Sequence, residues 1–409
     1  MHTQSDLNGL KRAVGRAMNG AFYQNRFKGI DVDGIRTMED FRKLPFTDKE
    51  DLRGAYPLGL QAVPDEDIVR IHSSSGTTGA PVIIPYTQKD VDDWAIMFKR
   101  CYETAGMTKL DRVHITPGYG LWTAGIGFQH GAELLGAMAI PMGPGNTDKQ
   151  IKMMIDMKST VLCATSSYAL LLAEEIEKRG LKDQIHLKKG VIGSERWGEK
   201  MRKRIASELG VELYDIYGLT EIYGPGIGMS CAHECGMHMW TDYIFFEIID
   251  PKTGAIMPEG EVGELVITTL AKEGAPLIRY RTHDLTRVLP GECACGLEYP
   301  RVDTILGRSD DIVKVKGVLI HPGMVDSMLS AIEGVSSEYQ VMIDHLNGRD
   351  MLTLFFETAV PEDARKVLES AVTAEFKTKI GMTPIAKAVG IGDLPRSEKK
   401  STRVFDNRY

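Results

Sequence analysis

Apolar residues at Leu7, Leu10, Val14 and Met18 recur every three or four positions, which predicts a helix with one buried face near the start of the chain. Pro45, Pro57 and Pro64 then break the pattern into loops up to about Arg70. Further on, two kinds of segment alternate. The apolar runs Arg112–Pro117, Val161–Thr165, Gly190–Gly193 and Val211–Tyr217 read as strands, and the amphipathic stretches Asp90–Tyr102, Tyr168–Arg179 and Gly198–Leu209 read as helices. That alternation predicts an α/β fold of helix-flanked sheets, in which ligands collect at the carboxyl ends of strands. After Gly307 the character changes: two short strands around Val313–Ile320, a helix at Pro322–Ile332, strands at Tyr339–Ile343 and Met351–Phe356, and a helix at Pro361–Lys379. The expected organisation is a large N-terminal domain over residues 1–307 and a small α+β C-terminal domain over residues 312–409.

Composition narrows the function. With 49 basic and 56 acidic residues among 409, the net charge of -7 argues against a dedicated nucleic-acid binder. No run of about 18 apolar residues appears and the N-terminus lacks an apolar signal core, so a cytoplasmic protein with no membrane partner is expected. A homodimer is the commonest closed assembly for such a chain. Six cysteines are too few for a disulfide scaffold in so long a chain, but four of them fall in two tight pairs.

Candidate chemistry begins at Ser73-Ser74-Ser75-Gly76-Thr77-Thr78-Gly79, where every residue is Ser, Thr or Gly. Such a loop can aim several hydroxyls and backbone N–H groups at one anion, as a polyphosphate requires. It lacks the lysine and the spacing of a P-loop, and the plain alternative is a flexible linker. Downstream, Gly118–Gly127 mixes glycines with aromatics, and Tyr119, Trp122 and Phe128 are candidate walls for a flat apolar group or else ordinary core rings. At a strand end, Thr220 and Glu221 present a hydroxyl and a carboxylate where a phosphate and its Mg²⁺ can lie, since such a cation takes only one or two protein carboxylates. Gly193-Ser-Glu195-Arg-Trp197 is a second strand end of interest. Cys231-Ala-His-Glu-Cys-Gly-Met-His238 and Cys293-Ala-Cys295 have the residues for a closed, structural Zn²⁺ site; Cys231, His238, Cys293 and Cys295 are the favoured ligands, with Cys235 or His233 as replacements for His238.

Five motifs occur in an order that resembles the adenylate-forming enzymes: Ser73-Ser-Ser-Gly-Thr-Thr-Gly-Ala-Pro81, Tyr217-Gly-Leu-Thr-Glu221, Arg279-Tyr-Arg-Thr-His-Asp284, Gly307-Arg-Ser-Asp-Asp-Ile-Val-Lys-Val-Lys-Gly317 and Leu394-Pro-Arg-Ser-Glu-Lys-Lys400. The chain is most similar to the phenylacetate-CoA ligase branch, on Ile222-Tyr-Gly-Pro-Gly226 and the ending Asp406-Asn-Arg408. The resemblance implies ATP-dependent activation of an aryl carboxylate as acyl-AMP and its transfer to coenzyme A. It also implies that Ser73 to Gly79 hold the phosphates and that Thr220 and Glu221 meet the α-phosphate and Mg²⁺. By the same resemblance Asp284 takes the ribose hydroxyls, Asp215 and Tyr217 stand beside the adenine, Glu195 lies at the nucleotide, and Arg308 assists at ribose or phosphate. Lys400 matches the mobile lysine of adenylation, although Lys399 stands where the family has glycine. A hinge at residues 308–311 would let the small domain carry Lys400 out and bring the Lys316-Gly317 hairpin in for thioester formation. Two other readings stay open: an enzyme that loads a carrier-protein thiol, and a zinc-stapled interaction protein without catalysis.

Overall fold

The computed structural model describes residues 4–74, 81–195, 197–233, 235–311, 313–316, 318–320, 322–346, 349–396 and 402–408. It has the expected mixed α/β architecture, and its chain groups into two compact units. One comprises Met1–Pro144, Ser159–Cys163 and Tyr214–Thr304; the other comprises Gly145–Lys158, Ala164–Leu213 and Ile305–Tyr409. The second unit thus joins the C-terminal segment to a stretch that the sequence pattern assigns to the large domain.

In the first unit the N-terminal helix spans Gln4–Ala17 and buries Leu7, Leu10 and Val14 against Tyr23, Phe27, Phe41 and Phe245. The helix Gln88–Thr104 starts with a capping box, in which the Thr87 side chain and the Asp90 carboxylate satisfy each other's backbone N–H groups. Its apolar face, Val91, Trp94, Phe98, Cys101 and Tyr102, is buried. The neighbouring helix Ala124–Leu135 approaches that face closely because it carries glycines. A Cβ on Gly127 would lie 2.4 Å from Phe98 Cε2, and one on Gly131 would lie 2.5 Å from Phe98 Cβ. Arg112–Ile115 pairs in parallel with Met138–Pro141 on one side and with Val161–Thr165 on the other. Val161, Leu162 and Cys163 are all buried, as befits a parallel strand covered on both faces. Glu212–Leu219, Gly224–Ser230, Met237–Met239, Arg301–Val302 and Val288–Leu289 follow one another as antiparallel neighbours. A separate antiparallel ladder runs through Ile244–Ile249, Gly263–Thr269 and Tyr280–Thr286.

In the second unit, the strands Ile385–Gly390, Arg349–Thr358, Tyr339–Leu346 and Val404–Asp406 form one sheet in that order. The helices Pro322–Ser330 and Arg365–Ile380 contribute Val325, Met328, Leu329, Val372 and Phe376 to its core. Two cations tie this sheet-and-helix body to the rest of the unit. Lys200, on the helix Glu199–Leu209, donates from Nζ to the carbonyls of Leu329 (2.9 Å), Ile332 (2.7 Å) and Val335 (2.8 Å), at the end of the Pro322–Ser330 helix and in the segment that follows it. Arg396 reaches Glu174 at 2.7 Å and the buried Glu357 at 2.8 Å. Among the described residues, no helix is long and apolar enough to cross a membrane.

Candidate active site

The strand Ile68–Ser73 pairs antiparallel with Ile83–Thr87, and Ser73 faces Ile83 at the base of the serine- and threonine-rich loop. Ser74 closes the neck of that loop: its N–H donates to the Val82 carbonyl at 3.0 Å and its Oγ accepts from the Val82 N–H at 3.1 Å. Ser75, Gly76, Thr77, Thr78 and Gly79 lie outside the described residues. The Ser73 N–H donates to the Leu121 carbonyl at 2.8 Å, which fastens the neck to the glycine and aromatic loop. His72 reaches the same carbonyl through Nδ1 at 3.2 Å and stands edge-on to Tyr86 (5.2 Å) and Trp94 (5.6 Å). Its Nε2 is buried without a partner among the described residues. Burial pulls the imidazole down to about 4, so it is neutral near pH 7.

Thr220 and Glu221 occupy the turn between Glu212–Leu219 and Gly224–Ser230. The turn is closed by glycine at both ends. A Cβ on Gly218 would stand 2.0 Å from the Gly224 carbonyl oxygen, and Gly224 has φ +112 with Trp94 Cζ2 2.5 Å from where its Cβ would be. Thr220 Oγ1 meets Thr123 Oγ1 at 3.2 Å. The loop 121–123 therefore touches both the neck of the phosphate loop and the Thr220 turn. Glu221 is buried, with Oε1 3.3 Å from Lys49 Nζ. Beyond it, Lys272 donates from Nζ to the Ile222 carbonyl, and burial brings this ammonium down to about 7 although Asp90 and Glu221 act in the opposite direction.

Asp284 is buried near the end of Tyr280–Thr286 and accepts from the Tyr217 hydroxyl at 2.6 Å. A short bond from a hydroxyl to a carboxylate fixes the orientation of both groups. Asp215 donates from its backbone N–H to Ser230 Oγ at 2.8 Å, which aligns the same strand with its neighbour. Of the aromatic candidates, Trp122 is 46% exposed, Tyr119 is half-buried with its hydroxyl unpartnered among the described residues, and Phe128 packs in the core on Phe98 at 5.0 Å. In the other unit, Glu195 accepts from the Ser167 N–H (2.6 Å) and hydroxyl (3.0 Å), and Arg308 pairs with Asp310 at 2.8 Å. Lys316 takes φ +49 in the hairpin between Val313–Val315 and Val318–Ile320. Gly317, Lys399 and Lys400 lie outside the described residues.

The cysteine pairs meet. Donor atoms of Cys231, Cys235, His238 and Cys293 all lie within 4.8 Å of one another. The thiol separations are 3.6 Å for Cys231 to Cys235, 3.6 Å for Cys231 to Cys293 and 2.8 Å for Cys235 to Cys293. Ligands about 2.3 Å from a tetrahedral centre stand about 3.8 Å apart, so the two 3.6 Å separations match a thiolate zinc site while Cys235 and Cys293 stand closer than such a site would hold them. His238 offers its Nδ1 to the Tyr299 carbonyl at 3.1 Å, which orients the opposite nitrogen, and Cys295 Sγ lies 3.3 Å from that Nε2. Cys235 thus stands inside the cluster together with His238, whereas Cys295 stands against His238 and His233 is exposed. Burial raises the Cys293 thiol, but hydrogen bonds from Cys235 and its neighbours outweigh it and bring it to about 6. Lys49, Thr123 and Lys272 were not singled out by the sequence; Thr123 lies in the Gly118–Gly127 loop but Lys49 and Lys272 sit in no motif, and only the fold brings the three to the Thr220–Glu221 turn.

The family model for AMP-binding enzymes matches residues 29–270, and that for the AMP-binding enzyme C-terminal domain matches residues 317–408. The chain belongs to the AMP-binding, adenylate-forming enzymes. It is 40% identical to the phenylacetate-coenzyme A ligase of Pseudomonas putida, over 95% of this chain and 90% of that one. It is likewise 40% identical to the phenylacetate-coenzyme A ligase of Escherichia coli, over 95% of this chain and 91% of the relative. Within the family it falls in the phenylacetate-CoA ligase branch, as an AMP-forming acid–coenzyme A ligase that uses ATP and coenzyme A. Among solved structures, 2-hydroxyisobutyryl-CoA ligase in the postadenylation state in complex with 2-HIB-AMP gives a TM-score of 0.89 at 26% identity, over 99% of this chain and 89% of that one. The same enzyme in complex with 2-HIB-AMP and CoA in the thioesterification state gives 0.72 at 27% identity, with the same coverage of 99% and 89%.

Proposed function

We propose that the chain activates an aryl-acetic acid, phenylacetate or a close relative, and passes the acyl group to coenzyme A. In the first half-reaction a carboxylate oxygen attacks the α-phosphorus of ATP, the bond to the bridging oxygen breaks, and pyrophosphate leaves. In the second the coenzyme A thiolate attacks the acyl carbon and AMP departs with the bonding pair. The difficulty of the first step is the approach of two anions, so the protein supplies position and positive potential without a nucleophile of its own. The observation that carries this reading is the convergence on loop 121–123. It holds the backbone of Ser73 on one side and the hydroxyl of Thr220 on the other, next to the Glu221 carboxylate. Ser73 to Gly79 bind the phosphates, Thr220 orients the α-phosphate, and the Asp284–Tyr217 pair takes the ribose, with Asp215 beside the adenine. Glu195 and Arg308 complete the nucleotide contacts in this reading, and Tyr119 and Trp122 line the acid pocket.

Mg²⁺ bound to the phosphates would be held through Glu221 and would offset phosphate charge. The fit is that of a single buried carboxylate whose present counter-ion is the part-exposed Lys49, which can swing into solvent. Zn²⁺ held by Cys231, Cys235, His238 and Cys293 would brace the Met237–Met239 and Arg301–Val302 strands, with no open position for chemistry. In this reading Lys400 enters for adenylation, and rotation at residues 308–311 exchanges it for Lys316 and Gly317. Placement in the cytoplasm and a homodimeric assembly belong to the same proposal. The test is a panel of arylacetic, benzoic and short aliphatic acids assayed for AMP release with and without coenzyme A. Arylacetates should turn over fastest and only with coenzyme A. Pyrophosphate exchange without turnover of free coenzyme A would instead favour a carrier-protein acceptor.

A further inference from the structure

We infer that Lys272 is a positioning residue for adenylation, holding the Thr220–Glu221 turn from behind through the Ile222 carbonyl. The inference rests on the functional reading above and deepens it. Lys272 is fully buried, and its hydrogen bond among the described residues goes to the Ile222 carbonyl, one residue past Glu221. Its ammonium lies over the ring of Tyr86 at 4.2 Å and over that of Tyr223 at 4.8 Å. The buried Asp90 of the helix Gln88–Thr104 raises the basicity of this ammonium through space, without a hydrogen bond to it among the described residues. Asp90 accepts from the backbone N–H groups of Thr87 (3.1 Å), Glu273 (2.8 Å) and Gly274 (2.8 Å). Asp90 therefore anchors the two residues that follow the lysine, and the lysine in turn anchors the turn.

The carbonyls that follow are held in the same way. Tyr86 donates its hydroxyl to Tyr223 O at 2.9 Å, Trp94 donates Nε1 to Pro225 O at 2.8 Å, and Trp240 donates Nε1 to Gly226 O at 2.8 Å. Four carbonyls in five residues are thus pinned by side chains from outside the hairpin, and the glycines at 218 and 224 leave the turn no room to relax. A buried lysine is costly, and an apolar chain of the same length would pack there without that cost. What a methionine cannot do is hold the Ile222 carbonyl. A reacting group displaced by about 1 Å can cost about a hundredfold in rate, so this support acts on the catalytic step more than on binding.

The test compares wild type with Lys272→Met, measuring pyrophosphate release and folding by circular dichroism. Wild type must first form AMP from an arylacetate; failure there sinks the functional reading and leaves the lysine untouched. Given an active wild type, Lys272→Met should fold, lose about thirtyfold or more in kcat for pyrophosphate release, and keep KM for the acid within about threefold. A folded Lys272→Met enzyme with wild-type kcat, or one whose loss lies wholly in KM, overturns the inference. If Lys272→Met does not fold, Tyr86→Phe takes its place, because it releases the next carbonyl while keeping the ring under the ammonium. A several-fold fall in kcat at constant KM supports the inference, and an unchanged kcat overturns it.

Discussion

Acid should weaken this protein through His72 in particular. The ring is 2% exposed, wedged between Tyr86 and Trp94, with one nitrogen on the Leu121 carbonyl and the other buried without a partner among the described residues. Burial lowers its pKa from 6.5 to about 4, so between those values the unfolded chain holds a proton that the folded chain does not. Stability then rises with pH across that window: it is fully present above pH 6.5 and lost as pH falls towards 4. Linkage puts the loss from this one group at about 2 kcal/mol by pH 5 and about 3 kcal/mol by pH 4. The assay is urea unfolding of wild type and His72→Phe at pH 7.5 and pH 5.0, followed by the fluorescence of the tryptophans, one of which, Trp94, touches the ring. The substitution carries its own cost at both pH values, and the informative quantity is the change in the gap. The stability advantage of wild type over His72→Phe should shrink by about 2 kcal/mol between the two conditions. A gap constant to within about 0.5 kcal/mol would refute the argument, since the imidazole would then titrate alike in both states.

Tyr217→Phe removes one hydrogen bond to the Asp284 carboxylate, and KM for ATP should rise by about tenfold with kcat nearly kept; steady-state kinetics at varied ATP decides it. Stripping zinc with a strong chelator, or Cys231→Ser, should lower Tm by several degrees while any enzyme still folded keeps its kcat; metal analysis should find about one zinc per chain beforehand. Lys400→Ala should cripple adenylation yet spare thioester formation from supplied acyl-adenylate and coenzyme A. Equal loss of both half-reactions would remove the moving lysine from the account.

Much of the architecture was legible in the sequence because its signals are local. The helix read at Asp90–Tyr102 stands at Gln88–Thr104, found by its stripe of apolar residues, and the strand Val161–Thr165 is a bare apolar run. Ordered motifs carried the family. What stayed hidden depends on contacts between distant segments. Nothing near Tyr217 says that its hydroxyl ends on Asp284, and nothing near Lys49 or Lys272 says that both face the turn at Glu221. The cysteines lie between these cases. Their spacing suggested a metal, but the membership of Cys235 follows from the pairing of His238 with Arg301, which draws the two loops together and no motif encodes. The cut near residue 307 followed a change in pattern, whereas compactness groups residues by touch, and Lys200 and Glu174 touch the C-terminal body.

That last arrangement bears on anyone who would transplant the tail of this enzyme onto a relative. The three carbonyls gathered by Lys200 and the guanidinium shared by Glu174 and Glu357 are joints supplied from more than a hundred positions upstream. A graft spliced at residues 308–311 would sever ownership of those joints, leaving bare oxygens on one piece and a stranded cation on the other. A donor segment that brings its own lysine-bearing helix and acidic partner should make the sounder hybrid.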